Sequence, residues 1–397
     1  MKLKRIMGIL FTLLVVGILA ACGDSTSGDS DDTITIGVLA SQTGALESYG
    51  KQTVRGFELG LEYATDGTME VAGKKIKYII EDTETDPEVA RQKALKLLED
   101  DGADFLVGSS SSGDTLAVTP LAEEYETIMV VEPAAADSIT GSEYNDYVFR
   151  TARNSSQDAA AAAAAVAGEG VTIATLAPDY SFGHDGAKAF IAAAEELGAE
   201  LVHEEYAAPD ATDFTANIQK IIEAKPDYLY VVWAGANTPW TQIVDMKVEE
   251  QGIKVTTGVA DIATLPTMKP LIGMEGFTLY YHTLPDNEVN DWLVEEHKNK
   301  FDEVPDLFTA GGMSAALAIV EAIKKTDGDT DAAKLIETME GMSFETPKGT
   351  MTFREEDHQA LQEMYSVTLE ESDEFDYPVP VLKRVLTPEE TAPPIMN

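Results

Sequence analysis

The chain has 397 residues, 44% of them hydrophobic, enough for two domains with buried cores. With 70 acidic residues against 28 basic ones, the formal net charge is -42, which excludes nucleic acid as a partner and predicts a solvated acidic surface suited to saline surroundings. One cysteine and five scattered histidines exclude an intrachain disulfide and a metal site of recognisable spacing, so no cofactor is expected.

At the amino terminus Lys2, Lys4 and Arg5 precede an apolar run over 6–20, and Leu19-Ala20-Ala21-Cys22 closes it with small residues. This is the layout of a secretory signal over 1–21; a membrane-spanning helix would need about twenty or more apolar residues and other flanks. The pattern around Cys22 resembles the bacterial lipobox, in which cleavage exposes the thiol for lipid attachment. A lone buried cysteine is the alternative reading. Residues 22–32, with no apolar side chain after Cys22, form a flexible tether.

From Thr33 the chain alternates. A β-rich run at 34–39 leads through a Ser-Gln-Thr-Gly turn to Val54, Phe57 and Leu61 at helical spacing. The rhythm predicts strand 76–80, helix 87–98, strand 105–107, helix 115–125 and strand 128–131. After Arg150 a second series begins with an alanine-rich helix at 157–167 and strand 171–176. It continues with helix 183–197, strand 201–206, helix 214–223, strand 228–232, helix 240–250, and strands 254–257 and 277–281. Such alternation implies parallel sheets flanked by helices, here in two doubly wound α/β lobes. Helices at 287–301, 311–325 and 331–339 have too little strand between them for a third lobe and are expected to cover the first. Strands at 349–353 and 365–369 are expected to return to the second. The organisation read from this is 33–151 with 284–348 as lobe 1, 152–283 with 349–386 as lobe 2, and 387–397 as a tail, with crossings near one edge that would make a hinge.

Seven segments in order carry a resemblance: ITIGVLASQTGALESYGKQTVRGFELGLEYA, FLVGSSSSGDTLAVTPLAEE, VFRTARNSSQDAAAAA, LAPDYSFGHDGAKAF, AKPDYLYVVWAGAN, GMEGFTLYY and ETPKGTMTFREEDHQA. Together they resemble the extracytoplasmic solute-binding proteins of ABC importers, of the leucine/isoleucine/valine-binding type. The resemblance implies a type I periplasmic-binding-protein fold, two lobes joined by three crossovers and closing on a small-molecule ligand. It also implies permease and ATPase subunits as partners, with the membrane reached through lipid on Cys22. Independently, open α/β sheets bind ligands at the carboxyl ends of their strands, where helix N-termini offer N–H groups.

An α-amino acid needs donors for its carboxylate and acceptors for its ammonium in a water-poor cleft. The resemblance places the carboxylate on the serine loop ending Ser111-Ser112, with Ser112 as the contacting residue, and on a small backbone loop at Ala134 to Ala136, where Ala136 replaces a common threonine. It places Tyr49 and Phe182 on the cleft wall, Phe182 where tyrosine is frequent. Asp261, after a second-lobe strand, falls where the family carries an acidic ligand residue, though an exposed surface aspartate is the plain alternative. In the WAGAN segment Trp233 lies upstream of the aromatic position usual near Asn237, which points to a differently shaped pocket.

The resemblance implies capture of a branched-chain or other neutral amino acid. Short amides, urea-like compounds and aromatic carboxylates are alternatives, as is a ligand-sensing protein on the same fold. An enzyme would need a nucleophile with a base or a metal cluster, and the sequence offers neither pattern.

Overall fold

The computed structural model describes residues 32–397 apart from 236 and 260. The expected signal, Cys22 and all but the end of the tether lie outside the described residues. In chain order the elements of the first half are β1 (Thr33–Ala40), α1 (Glu47–Ala64), β2 (Glu70–Val71), β3 (Lys74–Asp82), α2 (Pro87–Leu95), β4 (Phe105–Gly108), α3 (Ser112–Glu124), β5 (Ile128–Val131) and β6 (Val148–Arg150). These strands form a six-stranded sheet ordered β2-β3-β1-β4-β5-β6, parallel but for the short β2–β3 pair. Its central strands read as nearly continuous apolar runs because helices cover both faces. Ile36, Val107 and Val130 face α1, while Leu39, Leu106 and Met129 pack with Ala90 and Ala94 of α2 and Leu121 of α3.

The second lobe holds α4 (Ser155–Val166), β7 (Thr172–Pro178), α5 (Ser181–Glu196), β8 (Glu200–Ala207), α6 (Thr215–Ala224), β9 (Tyr228–Val231), α7 (Trp240–Asp245), β10 (Lys254–Thr256) and β11 (Glu275–Thr278). Its parallel sheet runs β10-β9-β7-β8. α4 starts on a capping box in which Asn154 and Gln157 exchange side-chain and backbone hydrogen bonds. The helix expected over 240–250 is shorter: α7 ends at Asp245, Lys247 takes a left-handed φ of 58°, and a 3-10 turn Glu249–Gln251 follows.

The chain then runs through α8 (Glu288–Phe301), α9 (Leu307–Lys325), α10 (Ala332–Met339), β12 (Ser343–Thr346), β13 (Gly349–Phe353), β14 (Ala360–Leu361), β15 (Met364–Glu370) and β16 (Val379–Leu386). α9 lies along α1, and both helices need glycine to come so close. A Cβ at Gly56 would stand 1.8 Å from the Thr309 carbonyl oxygen, and one at Gly312 2.0 Å from that of Thr53.

One expected placement differs. The sequence pattern puts β13 in the second lobe, yet Met351, Phe353 and Ala360 are buried with Val107, Ile128 and Phe149 of the first. The reason is local: β12 and β13 form an antiparallel hairpin, which keeps β13 beside the strand that follows α10. The return comes later, and β15 pairs with β11 and β16.

The chain thus crosses between lobes at 151–154, 279–287 and 362–363. Gln359 Nε2 donates to the Ala152 carbonyl at 2.8 Å and Gln362 Nε2 to that of Thr151 at 3.3 Å, tying the first and third crossings together. Tyr280 donates to Asn290 Oδ1 at 2.7 Å across the second.

Candidate functional site

A cavity of about 110 Å³ lies between the lobes, at the carboxyl ends of both parallel sheets. This is below the ~150 Å³ of a cavity that takes one benzene ring, so the space excludes anything larger than a small metabolite. Of the residues expected at the site, Tyr49, Ser112, Ala134, Phe182, Trp233 and Asp261 line it.

Ser112 opens α3, whose N-cap residue Ser111 makes no side-chain capping bond. No cap occupies the first N–H groups, and the helix dipole favours negative charge there, part of which the buried Asp114 carboxylate in the first turn already supplies. Ser112 Oγ accepts from Ala135 N at 3.3 Å and Ala136 N at 3.1 Å, which ties the helix to the 134–136 loop. With both acceptor sites engaged, its O–H remains available as a donor, and Ser112 is part of the lining.

Tyr49 sits in the first turn of α1, its ring stacked on Phe308 at 3.9 Å between centroids. Its hydroxyl oxygen accepts from Gly235 N of the other lobe at 3.0 Å. Burial, and then the charge of Asp261, drive the phenol pKa far up, so Tyr49 stays neutral.

Asp261 is 2% exposed, and neither carboxylate oxygen has a well-formed hydrogen bond among the described residues; only the Thr264 hydroxyl and N–H groups of its own turn come near it. Burial raises its pKa, and the Thr264 hydroxyl and nearby N–H groups temper that rise without cancelling it. A buried carboxylate without a partner is costly unless a ligand supplies one. Trp240 Nε1, also lining the cavity, is a buried donor with no described partner. Asp306 caps α9 by accepting from Phe308 N at 2.9 Å and Thr309 N at 3.1 Å. Burial, and then repulsion from Asp261, push its pKa up to about 7.

Three expected residues are not part of the lining. The Ser111 carbonyl accepts from Thr115 Oγ1 at 2.9 Å within α3. Ala136 is fully buried, with its carbonyl held by Arg150 Nη1 at 2.6 Å. Asn237 is exposed and contributes only its carbonyl, to Trp233 Nε1 at 2.6 Å. Conversely, Arg153, Asp158, Tyr180, Tyr230 and Trp240 line the cavity without belonging to the set the sequence singles out. Arg153 Nε lies 3.1 and 3.3 Å from the Asp158 carboxylate oxygens, and Nη1 donates to the Pro133 carbonyl at 3.1 Å. The available signal was an Arg and an Asp bracketing the helix start at Asn154. Among the described residues no group of three or more His, Cys, Asp or Glu could hold a metal.

The chain matches a family described as periplasmic binding protein over residues 33–374. A solved ABC-type branched-chain amino acid transporter protein from Rhodopseudomonas palustris CGA009 is 47% identical with TM-score 0.82, covering 92% of this chain and 99% of that one. A solute-binding protein of an ABC transporter from Rhodopseudomonas palustris BisB5, solved in complex with 3,4-dihydroxybenzoic acid, is 27% identical with TM-score 0.79, covering 90% and 98%. The Leu/Ile/Val-binding protein homolog 6 of Brucella abortus (strain 2308) is 26% identical over 382 residues, 93% of this chain and 94% of its own.

Proposed function

Because the chain belongs to the periplasmic binding protein family, we propose that its cleft captures a branched-chain or other neutral α-amino acid. The protein is an extracytoplasmic substrate-binding protein of an ABC transporter, with a small-molecule ligand and membrane permease subunits as partners. In our reading it delivers its cargo to that permease and its ATPase while tethered by lipid on Cys22. No chemical step is needed: the lobes close on the solute, exclude water and hold it by complementary groups.

The observation that carries the amino-acid reading is Asp261, a carboxylate buried on the second lobe with no cation beside it among the described residues and only the hydroxyl and N–H groups of its own turn nearby. A ligand ammonium would compensate it, while the ligand carboxylate lies at Ser112 and the N-terminus of α3 on the first lobe. A second reading, aromatic carboxylates, is favoured by the ring-rich lining of Tyr49, Tyr180, Phe182, Tyr230, Trp233 and Phe277 and by the dihydroxybenzoate-bound neighbour. Such a ligand has no ammonium, so Asp261 would have to stay protonated, the direction in which burial moves it.

Calorimetry on Asp261→Asn separates the two. L-leucine should bind more weakly by about 3 kcal/mol or more, because its ammonium would be buried without a counter-charge. Benzoate should bind as well or better. Undiminished leucine affinity in the variant would place the ammonium partner elsewhere.

A further inference from the structure

Among the described residues lining the cavity, Arg153 is the one cation. Its side chain is 16% exposed, and its fixed contacts use Nε, toward Asp158, and Nη1, toward the Pro133 carbonyl. Nη2 is left without a protein partner among the described residues. The Pro133 contact matters for direction, since it brings the guanidinium to the loop whose next residues, Ala135 and Ala136, donate to Ser112 Oγ. Three donor sources of separate origin therefore converge around residues 133–136: the Ser112 hydroxyl, the uncapped N-terminus of α3 and the free edge of Arg153.

We propose that Arg153 makes a carboxylate obligatory in any ligand of this cleft. The inference rests on the amino-acid reading above and narrows it, because it excludes short amides and urea-like compounds. Asp158 offsets the guanidinium charge, and the planar fork still has room for a second acceptor. A ligand carboxylate on Nη2 would make a charge-assisted hydrogen bond, roughly twice as strong as the neutral one an amide oxygen would make at the same place. With a zwitterion the ammonium stands against Asp261, while the carboxylate shares Arg153 with Asp158 and takes its remaining donors from Ser112 and the helix terminus. Each buried ion then has an opposite charge or a donor beside it, the condition that such ions require.

The test is calorimetry on the full chain with L-leucine, L-leucinamide, benzoate and benzamide, repeated on Arg153→Gln after circular dichroism has verified its fold. In the parent protein an acid should bind at least 100-fold more tightly than its own amide. Arg153→Gln should lose 10- to 100-fold for that acid and change less than threefold for the amide. An acid and its amide binding the parent equally would overturn the proposal without any variant. Equal losses for acid and amide in Arg153→Gln would also overturn it, by showing that Arg153 only shapes the cavity. Full retention of acid binding in the variant would do the same. A parent chain that takes neither acid overturns the ligand class itself, a failure of the amino-acid and aromatic-acid readings rather than of Arg153 alone.

Discussion

Asp306 illustrates how one side chain can serve both helix and site at a cost. Its carboxylate satisfies two N–H groups at the start of α9, yet burial and the nearby Asp261 hold its pKa up at about 7. An acid whose pKa is raised on folding contributes stability that is fully present below its unfolded value, near 3.8, and lost as pH rises through the folded value. Asp306→Asn keeps the capping oxygen and removes the charge. The variant's melting temperature, relative to the parent, should therefore climb between pH 5 and pH 8 in the unliganded proteins. An offset that stays constant across that window would mean that Asp306 does not titrate there.

The elements show where sequence reading succeeds and where it stops. Strands and helices of the two parallel sheets were legible because covered strands are apolar throughout and their helices bury one face. The family resemblance points to Tyr49, Ser112 and Asp261, and all three line one cavity. Arg153 was missed because its role depends on the Pro133 carbonyl, twenty residues away in the chain and brought near only by the crossing at 151–154. β13 was misplaced because an alternating strand carries no mark of which lobe it joins; the hairpin with β12 decides that. The contact between α1 and α9 was equally hidden, since a glycine in a helix reads only as a weak helix former. Its role appears in the 1.8 Å that a Gly56 Cβ would leave to the Thr309 carbonyl oxygen. Backbone cannot yield as a flexible side chain can, so Gly56→Ala should force the helices apart and destabilise the protein by about 1–3 kcal/mol. Thermal or urea unfolding measures this directly, and an unchanged midpoint would mean the helix pair is far more compliant than its packing implies.

Across the whole molecule the acidic excess sets the response to salt. The ion pairs are mostly exposed, as with Lys51–Glu47 and Lys247–Glu250, and such pairs contribute about 0–1 kcal/mol each. Repulsion within a net charge of -42 should outweigh them. Shortening the Debye length from about 10 Å at 0.1 M to about 3 Å at 1 M should raise the melting temperature in sodium chloride. A flat or falling curve would show that the acidic surface is not self-repelling enough to matter. The bond from Gly235 N to the Tyr49 hydroxyl acts at this scale too, because both of its atoms belong to the protein and one sits on each lobe. Part of what holds the cleft shut is thus the same for every cargo and persists when there is none. The importer would then meet some shut receptors that carry nothing, so uptake could not be licensed by shape alone. Discrimination would pass to time: a wrong or missing solute leaves a shut form that reopens quickly, and only cargo that prolongs it past the encounter with the permease would be carried across.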